Sequence, residues 1–150
     1  MKRIRLSPSA PLPCRTAAEE LARHTGAQIV APLEPPAMHA GDVVLAVGNE
    51  INAWPWAAEK IPTVTRTGEW ELVAEKNGAW VFAGTSPRNV CRAALGWIAH
   101  PEREANRLSR YAVRERFTMW DNSMNQMYRF ARGFERRSHL REIARLGFNG

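Results

Sequence analysis

The sequence predicts an α+β fold, a mixed sheet with two helices packed on it, most simply on one face. Three observations predict it. The nearly continuous apolar run Asp42-Val43-Val44-Leu45-Ala46-Val47-Gly48 has the character of a central strand buried on both faces. Lys76-Asn77-Gly78 separates two further apolar runs, and Asn-Gly in that setting is a strong hairpin signal. Two other stretches combine helical spacing of apolar residues with start and stop residues. The chain has 150 residues, of which 45% are apolar and 24% charged, enough for a compact domain with a real core and against disorder of the whole.

Taken in order, Lys2 to Leu6 alternates charged and apolar residues, the period of a half-buried strand, until Pro8, Pro11 and Pro13 interrupt it. Thr16 can cap the following helix, with Glu19 as its capping-box partner. Ala17, Ala18, Leu21 and Ala22 form its apolar stripe, and Gly26 supplies a left-handed stop. Ala27 to Ala31 reads as a strand, and Pro32 to Gly41 as a proline-rich loop. After the central strand, Asn49 to Ile61 reads as a turn and a short helix, with Trp54 and Trp56 flanking Pro55. Glu69 to Val73 and Ala79 to Ala83 are the hairpin arms. Ser86 caps a second helix with Pro87 in its first position. Val90, Ala93, Ala94, Trp97 and Ile98 follow the helical period, and Pro101 closes it.

Beyond Pro101 the character changes. Glu102 to Arg110 reads as an exposed polar connection with helical propensity. Val113 to Trp120 alternates like a strand, and Asp121 to Phe134 is a loop rich in Met and aromatic residues. Ser138 caps a last helix bearing Leu140, Ile143 and Ala144, which runs to Leu146-Gly147-Phe148-Asn149-Gly150. A strand, a loop and a helix form half of a βαβ unit. The expected division is an α+β domain over 1–101 and a connector with the start of a second, incomplete domain over 102–150.

Charge and composition narrow the function. The net charge of +6 comes from arginines concentrated after Arg103. A basic block can be a nucleic-acid footprint. Here Glu102, Glu104, Glu115, Asp121, Glu135 and Glu142 are interleaved with it, which favours a solvated surface or one that pairs with acidic parts of a longer chain. Cys14 and Cys91 suggest no disulfide framework and no metal cage. His24, His39, His100 and His139 lack metal-ligand spacing, and no glycine-rich phosphate motif is present, so neither a metal nor a cofactor is expected. The basic start Met1-Lys2-Arg3 runs into prolines without an apolar signal-peptide core, and no stretch reaches membrane-spanning length, so a cytoplasmic product is expected.

Three stretches together carry a resemblance. Ala17-Ala18-Glu19-Glu20-Leu21-Ala22-Arg23-His24-Thr25-Gly26 resembles the first helix of the domain that precedes the barrel in family 20 β-N-acetylhexosaminidases and family 67 α-glucuronidases. The hairpin, the turn Gly84-Thr85-Ser86-Pro87-Arg88 and the helix through Trp97 are similar to the second half of that domain. Arg116-Phe117-Thr118-Met119-Trp120-Asp121-Asn122 resembles the first barrel strand of the α-glucuronidases, with its Trp-Asp-Asn tripeptide. The resemblance implies that the α+β domain is followed by the first β-α unit of a truncated (β/α)8 barrel. It also implies that the catalytic acids reside on later strands, outside this chain.

A glycosidase needs a pair of carboxyl groups. Asp121 and, further along, Glu135 are the only acids near a predicted strand end, so no complete catalytic site is expected. The candidate substrate-binding residues are Trp120, Asp121 and Asn122, at the end of a barrel strand where active sites lie, and Arg129 and Arg132, which could grip a uronate carboxylate. Core packing for Trp120, turn roles for Asp121 and Asn122, and a surface role for the arginines compete with that assignment. The expected function is therefore that of an N-terminal, non-catalytic part of a carbohydrate-active hydrolase, supporting a barrel and one rim of its sugar site. Its partners would be the remainder of the barrel and a carbohydrate. The alternatives are a stand-alone nucleic-acid-binding protein and a dimerisation module built on the aromatic loop.

Overall fold

A computed structural model of the chain describes residues 1–32, 37–63, 68–104 and 106–111. The first compact unit is Met1–Ala112. Its strands are β1 (Arg3–Arg5), β2 (Gln28–Val30), β3 (Asp42–Val47), β4 (Glu69–Lys76), β5 (Ala79–Gly84) and β6 (Arg107–Tyr111). Its α-helices are α1 (Leu12–Thr25), α2 (Pro55–Ala58), α3 (Pro87–Ala99) and α4 (Pro101–Glu104), with a 3-10 helix over Gly48–Ala53.

The six strands form one mixed sheet in the order β2-β1-β3-β5-β4-β6. The first four in that order are mutually parallel, with Ile4 opposite Ile29 and Val43, and Leu45 opposite Phe82. The β4–β5 hairpin is antiparallel, with Val73 opposite Phe82. Its two-residue turn places both Asn77 (φ 52°) and Gly78 (φ 78°) in the left-handed region, as a hairpin turn matched to strand twist requires.

Strand alternation sorts the side chains between two cores. On one face Ile4, Val43, Val73 and Phe82 meet Ala17, Ala18 and Leu21 of α1 and Val90, Ala93, Ala94 and Trp97 of α3. The two long helices thus share a face, as expected. On the other face Val44, Ala46, Leu72, Ala74, Val81 and Ala83 pack with Ile51, Trp54, Ala57 and Ile61. β3 supplies both cores, which explains its unbroken apolar sequence. Removing side chains of this size from water stabilises the fold by roughly 1.5–3 kcal/mol each.

Two elements differ from the sequence expectation. The first helix begins at Leu12 rather than after Thr16. Pro13 falls in the first turn, where amides have no intrahelical partner, so its missing N–H costs nothing there. Arg107–Arg110, expected within a polar connection, belong instead to the strand Arg107–Tyr111, paired antiparallel with β4. Its polar alternation suits an edge: Arg107 reaches the buried Glu71, 3.8 Å away, which Arg92 of α3 approaches at 3.6 Å. The other ends match their local signals. Gly26 closes α1 at φ 72°, and the Ser86 hydroxyl accepts from the Asn89 amide at the start of α3. The predicted strand Val113 to Trp120 and the helix from Ser138 lie outside the described residues.

Candidate functional site

The topology singles out one crevice. β1 and β3 lie side by side and parallel, so their carboxyl ends open at the same sheet edge. From β1 the chain passes into α1, on the face that carries α3. From β3 it passes into the Gly48–Ala53 helix, on the opposite face. Where neighbouring parallel strands send their connections to opposite faces, a gap opens outside the strand ends, the usual ligand position in open α/β sheets. A pocket of about 370 Å³ occupies that position.

One wall comes from the β1–α1 connection. Ser7 and Ser9 bring their hydroxyls together at 2.8 Å, and the Ser9 amide donates to the Ser7 hydroxyl at 3.3 Å. Ala10 and Pro11 continue the wall to Cys14, in the first turn of α1, an end that no side chain caps. The other wall comes from Leu45, Val47 and Glu50. A Glu50 carboxylate oxygen accepts the Val47 amide at 2.7 Å, fixing the acid at the end of β3. Arg5 completes the lining.

Arg5 belongs to a charge cluster built across β1 and β3. Asp42 is wholly buried. One of its oxygens faces Arg3 Nε at 2.8 Å and Arg5 Nη2 at 3.3 Å, and the other accepts the His39 amide at 2.9 Å. Arg5 also donates to the Ala31 carbonyl at 3.3 Å. The guanidinium beside the crevice is therefore held on two sides.

Burial pushes the Cys14 thiol up to about 11, and the nearby Glu50 charge adds to the effect. At neutral pH it is a protonated thiol and a poor nucleophile. Among the described residues Glu50 is the one carboxylate in the lining, so they present no pair of the kind glycoside hydrolysis requires. A smaller hollow of about 230 Å³, lined by Met38, Trp56, Lys76 and Asn77, lies by the hairpin turn. Among the described residues, no group of three or more His, Cys, Asp or Glu side chains could hold a metal ion. No described helix is long and apolar enough to cross a membrane.

Comparison with known proteins adds no relative: no family model, no curated protein and no solved structure matches the chain.

The residues singled out from sequence, Trp120, Asp121, Asn122, Arg129 and Arg132, lie outside the described residues. Sequence reasoning passed over Arg5, Ser7, Ser9 and Glu50. A strand followed by Ser-Pro-Ser and a helix was a usable signal for the first wall. Nothing local announces that β3 lies beside β1, because β2 intervenes in the chain.

Proposed function

We propose that this chain is the N-terminal, non-catalytic part of a carbohydrate-active glycoside hydrolase of the α-glucuronidase or hexosaminidase kind. Its α+β unit buttresses a (β/α)8 barrel whose first strand and helix follow it. The observation that carries this reading is the mixed sheet of the first unit with α1 and the Ser86-capped helix on one face, an α+β arrangement compatible with the resemblance. That unit runs to Ala112, just upstream of the Trp120-Asp121-Asn122 tripeptide. In this reading Trp120 stacks on a sugar ring, Asp121 and Asn122 bond its hydroxyls, and Arg129 and Arg132 face a uronate carboxylate. Within the first unit Arg3, Arg5, Arg23, Arg92 and Arg107 all face acidic side chains, which supports the reading of its basic residues as paired surface charge.

The test is the intact mass of the native gene product, with its activity on aryl glycosides. A product well above 16.9 kDa that hydrolyses such substrates, and loses apparent affinity on Trp120→Ala, is expected. A native product of 16.9 kDa would end the proposal.

A further inference from the structure

We propose that the crevice at the carboxyl ends of β1 and β3 binds a neutral, polyhydroxylated small molecule of about monosaccharide size. The pocket lies wholly within the Met1–Ala112 unit, so the inference stands whether or not that unit belongs to a hydrolase. Position comes first: the crevice is where opposite-going connections leave a gap in the sheet edge. Its volume of about 370 Å³ falls at the small end of the range for ligand pockets, roughly 300–1,000 Å³.

Charge decides the class of ligand. The lining sets the Arg5 guanidinium, itself paired with the buried Asp42, against the Glu50 carboxylate. Arg5 already serves Asp42 and a backbone carbonyl, so it does not present a free fork to a phosphate or a dicarboxylate. An anion entering here would also meet the Glu50 carboxylate. A neutral guest meets no such penalty.

The hydrogen-bonding groups suit hydroxyls. Glu50 uses one oxygen on the Val47 amide and has lone pairs left to accept from a ligand. Ser7 and Ser9 can each donate and accept once their mutual bond opens. Leu45, Val47 and Cys14 give the same crevice an apolar side. A sugar matches that division, with hydroxyls around its rim and C–H groups on its faces.

The experiment is a 1H–15N NMR titration of the full 150-residue chain with D-xylose, and separately with inorganic phosphate and succinate. Saturable shifts confined to the amides of Leu6–Cys14 and Val47–Glu50 are expected with xylose, and weaker or no shifts with the two anions. Glu50→Gln keeps an oxygen for the Val47 amide while removing the charged acceptor, so the fold should survive and xylose affinity should fall roughly tenfold. Ser9→Leu, at an exposed position, should block the crevice without disturbing either core. The proposal is overturned by absent or scattered xylose shifts in the folded chain, by phosphate binding as tightly as xylose, or by unchanged xylose affinity in both variants.

Discussion

Asp42 shows how much a single residue can organise. It opens β3, yet its side chain is wholly buried among groups from β1 and the preceding loop. The carboxylate joins two neighbouring parallel strands by pairing from β3 with two arginines of β1. Its partner Arg5 is 37 residues away in sequence, so local pattern gave Asp42 no more than a place at the start of an apolar run. Asp42→Asn keeps an acceptor for the His39 amide but removes the charge that Arg3 and Arg5 face. Arg3 is 40% exposed and can turn to water, whereas Arg5, at 13%, is left with its charge uncompensated. Breaking a buried ion pair on one side costs about 3 kcal/mol at the lower end of its range. Urea unfolding of the variant should show a loss of that size, and a loss below about 1 kcal/mol would mean the pair contributes little in this setting.

At the scale of elements, what was legible in the sequence was what local chemistry determines. Asn77-Gly78 announced the hairpin because few other residues accept two successive left-handed conformations. Ser86-Pro87 and Gly26 announced helix ends because capping is a property of the residue and its immediate neighbours. The start of α1 was misplaced because the sequence does not say whether Pro13 breaks a helix or sits in its first turn. β6 was missed because an edge strand reading Arg107-Leu108-Ser109-Arg110 lacks an apolar face. Its identity comes from β4, reached through the chain only by way of the hairpin and α3. The crevice was hidden for the same reason, since it depends on strand order. One contact between elements gives a sharp test. A Cβ placed on Gly84 would lie 2.5 Å from Asn89 Cβ and 2.8 Å from the Val90 amide nitrogen, so α3 can dock this closely only against glycine. Asn89 cannot swing aside freely, because its amide group donates to Glu69 at 2.8 Å and to the Trp70 carbonyl at 3.1 Å. Gly84→Ala should therefore cost about 1–3 kcal/mol, although alanine ordinarily improves on glycine in a strand. Thermal unfolding would register the cost, and hydrogen exchange should place the loosened amides at the start of α3. An unchanged or raised melting temperature would contradict the docking described.

For the first unit as a whole, its two thiols couple folding to alkaline pH. Cys14 lies in the core between the sheet and its two long helices, and Cys91 packs against the same cluster from α3. Both are free thiols pushed up to about 11, chiefly by burial. Glu50 adds to the effect at Cys14, and Cys14 and Glu20 add to it at Cys91. An unfolded chain releases these protons around pH 9.0, while the folded chain holds them to about 11. Above the unfolded value the native state therefore binds more protons than the unfolded one, and stability falls as pH rises through that window. Below it the full contribution is present. The slope for the wild-type chain alone does not isolate the two thiols. The comparison that does is with the Cys14→Ala/Cys91→Ala double variant. That variant should be less stable at about pH 8, where small cavities are its main defect, and should lose less on going to about pH 10.5, because two of the protons in the balance are gone. Urea midpoints at the two pH values measure the difference directly. Parallel losses in the two proteins would show that neither thiol keeps its proton longer in the fold than outside it, and that the helix-bearing core admits more water than its packing implies.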